Sequence, residues 1–168
     1  MSVIDMFLKI DGIEGESQDA KHPGELDLLT HDKRVDNPTG LAAKLGDDPS
    51  ELLGVSTWPD ANFTMIVDKA YPKLLQACVN GDRIQKAVLT MRKAGTDPQE
   101  FLKVTYTDVL ISKCEIALDP DQNQVPIVTF AFNFAQIQEE YKTQQADGSL
   151  SGPIKYAYSI PRGPQQRG

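Results

Sequence analysis

The chain has 168 residues, 40 % of them hydrophobic and 24 % charged, with a formal net charge of −7. That is the composition of one globular domain with a real core, and it excludes wholesale disorder. The acidic balance excludes nucleic acid as the primary partner, because phosphate binding needs a basic stripe.

The charge is uneven: residues 1–60 carry 13 Asp/Glu against 5 Lys/Arg, and residues 61–168 carry 11 against 12. An acidic, solvated loop explains this most simply; head-to-tail association is the other reading. Asp5 and Lys9 interrupt what would be the apolar run of a leader in MSVIDMFLKIDG, and no stretch approaches the ~20 apolar residues of a membrane span. A soluble chain made in the cytoplasm, without membrane insertion, is expected. Cys78 and Cys114 fit a reducing compartment and are expected as buried free thiols.

Residues 3–11 alternate as a half-buried strand, with Ile4, Met6, Leu8 and Ile10 on one face and Asp5, Phe7, Lys9 and Asp11 on the other. A turn follows in DGIEGES (11–17), and ELDLL (25–29) predicts a second strand. Residues 30–60 form a long irregular region, with a short helix expected in DDPSELLG (47–54): Asp48 caps it, Pro49 starts it and Gly54 stops it. Strand resumes at 61–68. YPKLLQACVNG (71–81) predicts a helix from Tyr71 to about Asn80, started by Pro72 and ended by Gly81, with Leu74, Leu75, Cys78 and Val79 as its apolar stripe. Strands are predicted at 84–93, 100–107, 109–118, 126–142 and 154–160, with turns at 94–99 and 119–124 and a loop at 145–153. Residues 161–168 are expected as a flexible tail after a single domain over 1–160. The fold class is mainly β, a two-sheet barrel or sandwich with one flanking helix.

Acid–base or nucleophilic chemistry needs a base near neutral pKa, and the chain offers only His22 and His31, both expected at the surface. Neither cysteine has a CxxC partner, and there is no HExxH. Asp119, Asp121 and Asn123 begin like a calcium loop, but Gln124 stands where the turn needs glycine and Phe130 where a carboxylate is needed. Neighbouring acids such as Glu139–Glu140 and Asp47–Asp48 point apart in a strand and form a solvated face. No catalytic residue, metal site or cofactor is expected.

Several segments together resemble the haemolysin-coregulated protein (Hcp) family, the tube subunits of bacterial type VI secretion. They are DMFLKIDGIEGES (5–17), VDKAYPKLLQACVNGD (67–82), KAVLTMRKAG (86–95), EFLKVTYTDVLISK (100–113) and VTFAFNFAQIQEEYKTQQADGSLSGPIKYAYSI (128–160). The resemblance implies a two-sheet β-barrel with a flanking helix, assembling as a homohexameric ring. It further implies rings that stack into a hollow tube, work with a spike and sheath, and hold small effectors in the lumen. Export runs through the apparatus itself, from the cytoplasm to the exterior, without a signal peptide. Residues 30–60 depart from the family pattern, being charged and poor in glycine where relatives carry Trp/Ser and glycine-rich segments. Asp32, Lys33 and Arg34 are therefore the candidates for facing lumen or cargo, with solvated loop charge as the alternative. A non-stacking, soluble effector-binding adaptor is the alternative function. An added toxic domain is not expected, since the chain ends eight residues after its last strand.

Residues 128–141 pose a problem of parity. Val128, Phe130, Phe132 and Phe134 share one face, then Gln136, Gln138 and Glu140 take that parity while Ile137 and Tyr141 hold the other. A strand that serves one core keeps one parity. In a barrel, the strand is expected to bulge or bend near Ala135–Gln136, carrying Ile137 and Tyr141 into the core.

Overall fold

The computed structural model describes residues 3–37, 56–95, 97–118, 120–122 and 124–160. The helix expected over 47–54, the tail 161–168, and Asp119 and Asn123 lie outside the described residues. Alternating apolar residues produce strands β1 (Ile4–Ile10), β2 (Leu26–Asp27), β3 (Thr30–Asp32) and β4 (Ala61–Ile66), then helix α1 (Tyr71–Asn80). Strands β5 (Arg83–Lys93), β6 (Glu100–Leu118), β7 (Pro126–Tyr141) and β8 (Ile154–Ser159) follow. Every pairing is antiparallel, in the order β2-β1-β5-β6-β7-β4-β3, with β8 beside the second half of β7.

The parity swap of β7 is real, and it is shared. Ile84, Val109 and Phe134 lie side by side across β5, β6 and β7, and so do Ala87, Tyr106 and Ile137; all six are buried. Two residues separate the rows in each strand, so all three strands exchange their core-facing parity at one level. The β6–β7 register runs through unshifted, from Thr107 opposite Gln136 to Val109 opposite Phe134. An isolated bulge would displace one strand against its neighbour; here the whole sheet folds along a line. Asp108 sits on that line with φ +59°, a left-handed conformation that Asp tolerates better than most residues.

The two expected sheets are thus one sheet, curled into a half-barrel whose layers share β6 and β7. One layer holds β2, β1, β8 and β5 from Ala87 onward, the other β4 and β3. The segment 26–32 bridges the layers: β2 pairs with β1, β3 with β4, and between them Leu28 N donates to Met6 O at 3.0 Å and Leu29 N to Thr64 O at 2.8 Å. A true bulge occurs at Ser112, where Ile111 pairs with Phe132 but Lys113 with Ala131. The Ser112 hydroxyl donates to the Asp60 carboxylate and lies 3.3 Å from the Ala131 carbonyl oxygen.

Three expectations are corrected. Strands 100–107 and 109–118 are the single strand β6, because the turn-like Asp108 bends a strand instead of ending it. Tyr141 does not enter the core; it is 46 % exposed, because the first layer runs past the end of its cover. In α1, Leu74 and Ala77 are buried while Leu75 and Val79 face outward. The helix touches the sheet mainly along β6, through a stripe too narrow for the whole predicted face. Gly81 ends it at φ +66°, donating its N–H to Ala77 O, as a left-handed cap does.

The core centres on aromatic rings. Phe63 stacks on Phe130 (5.0 Å between centroids) and tilts against Phe132 (4.8 Å), while Tyr106 meets Phe132 and Phe134 edge-on (4.9 and 4.8 Å). Among the described residues, the Tyr106 hydroxyl is the buried side-chain polar atom without a hydrogen-bond partner, and burial pushes its pKa up. Cys78 and Cys114 are free and half-buried, and burial raises the Cys114 thiol.

Candidate functional site

His31, expected at the surface, is half-buried. β3 places it opposite Phe63, on whose ring it stacks at 4.6 Å, with Nδ1 3.1 Å from the Asn62 carbonyl. Burial lowers its pKa. Asp32, opposite Asn62, accepts a hydrogen bond from the Asn62 amide at 3.0 Å and stays at the strand edge. Lys33 crosses to β7 and pairs with Glu139, while Arg34 Nε lies 3.0 Å from Asp36 Oδ2. Asp36 and Thr57 exchange backbone hydrogen bonds of 2.9 and 2.7 Å, tying together the two sides of residues 38–55.

Lys33 and Arg34 line a groove of about 320 Å³ together with Val35, Trp58, Glu139 and Tyr156; Asp32 does not reach it. Trp58 forms the floor, stacked on Tyr158 at 5.7 Å and edge-on to Phe134 at 6.0 Å, with its indole N–H donating to Ser56 Oγ at 3.2 Å. Both cations are already paired, so the groove offers apolar contact rimmed by neutralised charge. No cluster of three or more His, Cys, Asp or Glu groups among the described residues is arranged to hold a metal ion.

Sequence reasoning missed a larger surface beside this groove. Met6, Met91, Leu102, Tyr141 and Ile154 are successive cross-strand neighbours over five strands, so they form one apolar row on the core-facing side. Exposure rises along it to 46 % at Tyr141 and 67 % at Ile154, and Tyr156, one row inward, is 52 % exposed. The signal was present in Ile154, Tyr156 and Tyr158 on one face of the last strand, which reads equally well as ordinary core. The opposite face at this end carries Gln136 and Gln138, exposed, and Glu140, whose carboxylate lies 3.6 Å from Lys155 Nζ.

The second organised region is the strap 17–25. Gly15 lets it turn: a Cβ there would lie 2.5 Å from the Glu25 carbonyl oxygen. Glu16 and the segment before α1 clasp each other, Glu16 N donating to Asp68 Oδ2 at 3.1 Å and Lys69 N to Glu16 Oε2 at 3.0 Å. Burial raises the Asp68 pKa against these hydrogen bonds. Ser17 N reaches Glu25 O at 3.1 Å, and Ser17 Oγ accepts from Asp19 N at 3.3 Å. The motif Gly-Glu-Ser is therefore a structural joint. Beyond it, Asp19 grips Arg92, and His22, expected at the surface, is buried flat against Phe7 at 4.5 Å.

The curled antiparallel sheet with one outer helix is shared with solved structures of type VI secretion proteins. Hcp1 from Salmonella typhimurium is similar at 30 % identity, TM-score 0.75, with 95 % of this chain and 96 % of that chain covered. A type VI secretion system effector from Yersinia pestis is similar at 31 % identity, TM-score 0.74, covering 93 % of this chain and 100 % of that one. Protein hcp1 of Pseudomonas aeruginosa is 33 % identical over 159 residues, 94 % of this chain and 95 % of that protein. The profile of the family described as type VI secretion system effector, Hcp, matches residues 7–141. The chain belongs to the Hcp family of type VI secretion proteins.

Proposed function

We propose that this chain is a non-enzymatic structural subunit of the type VI secretion tube, folding as one domain over residues 1–160. Six copies form a ring, rings stack into a hollow tube, and the tube leaves the cytoplasm with the spike. The observation that carries this reading is the apolar row ending at Tyr141 and Ile154, with Tyr156 exposed one row inward. Exposed apolar surface of this continuity on a folded sheet is what a protein–protein contact covers. A closed ring needs two different surfaces of the subunit to complement each other.

Multi-angle light scattering on the purified protein is expected to give six times 18.5 kDa, about 111 kDa. A monomer at tens of micromolar overturns the ring. Rings that never stack in negative-stain micrographs, while still retaining effector, favour the adaptor reading instead.

Lys33 and Arg34 are assigned to the lumen- or cargo-facing surface on the strength of the groove that they line, and Asp32 joins them only as the exposed residue before Lys33. Reversing Lys33 and Arg34 to glutamate is expected to reduce co-purifying effector severalfold with the ring mass unchanged. Equal effector recovery removes them from the cargo surface.

A further inference from the structure

His22 is 7 % exposed, and each of its ring nitrogens meets a carboxylate oxygen at 2.7 Å: Nδ1 with Glu25 Oε2, Nε2 with Glu100 Oε1. A neutral imidazole has one N–H, and its other nitrogen would turn a lone pair toward an ionised oxygen. The imidazolium donates to both. Glu25 belongs to the strap, but Glu100 begins β6, 78 residues away from His22. One proton thus joins the strap to the sheet.

The other charged groups at this place come from every element around it. β1 contributes Asp5 and β5 contributes Arg92, whose guanidinium carbon lies 4.7 Å from the Phe7 ring centroid. The strap contributes Lys21 and Asp19, the latter bound to Arg92. β2 contributes Asp27, which burial pushes toward its neutral form and which feels Asp19, Asp5 and Arg92. The Asp19–Arg92 contact does not depend on the His22 proton, so the strap has one fixed anchor and one titratable one.

We infer that residues 20–25 form a proton-controlled latch, shut over Phe7 while His22 carries both ring protons and opened when one leaves to solvent. Opening sets Glu100 free, unstacks His22 and uncovers Phe7, while Asp19 keeps the strap attached through Arg92. Acid therefore holds the latch closed and base opens it. It is a property of the single subunit and does not rest on the tube reading.

Two measurements on the intact protein test it. Long-range proton–nitrogen NMR correlation of the His22 ring at about pH 5 is expected to show both nitrogens protonated; a ring nitrogen that still bears a lone pair there overturns the latch. Amide hydrogen exchange over 17–25, corrected for intrinsic rate, is expected to be about tenfold faster at about pH 9 than at about pH 5, with β7 unaffected. In His22→Gln the strap is expected to exchange fast at every pH. Protection in wild type that is the same at both pH values overturns the proposal whether or not the variant folds.

Discussion

Replacing Arg92 with methionine is expected to cost about 2–3 kcal/mol, below the usual penalty for a fully buried ion pair because Asp5 and Asp19 keep 34 % and 21 % of their side-chain exposure. Arg92 is 7 % exposed, with Nε 3.2 Å from Asp5 Oδ2, one terminal nitrogen 3.0 Å from Asp19 Oδ1 and the other on Asp19 Oδ2. Without it, Asp5 and Asp19 face each other and Asp27 with no cation between them. The loss is read as a lower urea midpoint at unchanged slope.

The same substitution carries a pH signature. Hydrogen bonding to Arg92 lowers the Asp19 pKa from 3.8 to about 2, so the folded state prefers the ionised carboxylate. A depressed folded pKa contributes stability that is complete above the unfolded value and is lost as pH falls toward the folded one. The difference between wild type and Arg92→Met should therefore be constant above about pH 4 and shrink between 4 and 2. A difference that stays flat down to pH 2 assigns the loss to packing on Phe7 instead.

Phe132→Ala is expected to cost about 3–5 kcal/mol in chemical or thermal unfolding, and Gln136→Ala less than about 0.5 kcal/mol. Both residues are even-numbered positions of one strand, four apart. Phe132 is fully buried, wedged among Phe63, Tyr106 and Phe134, and paired with Ile111 beside the Ser112 bulge. Gln136 lies past the fold line and is exposed. Comparable losses at the two positions would remove the fold line as the account of β7.

That line was legible in β7 because phenylalanine and glutamine contrast so sharply across Ala135–Gln136. In β6 it was not, since the residues around Asp108 read as a turn between two strands; only the unbroken pairing on both sides shows one strand. The β5 swap was hidden in Ile84-Gln85-Lys86-Ala87, too short to display a period. The helix, the first strand and the strands from 126 onward came from local signals and agree with the structure within a residue or two, whereas β3 lies inside the stretch 30–60 that reads as irregular. His22 and His31 were misplaced for a different reason. Their neighbours in sequence are polar, and the rings that bury them, Phe7 and Phe63, lie on other strands. The apolar row at the barrel's end had the same obscurity, because its five members come from five separate segments.

The sharing of β6 and β7 by both layers has a consequence for synthesis. As the chain emerges from a ribosome, β4 has β3 available at once, but its other edge waits for the first half of β7, about sixty residues later. At ~5–20 residues per second that is roughly 3–12 s during which an apolar strand stands with one side unsatisfied. Its inward residues, Phe63 and Met65, are fully covered in the finished molecule, so during that interval they are the adhesive surface a trigger-type chaperone or a neighbouring nascent chain would meet first.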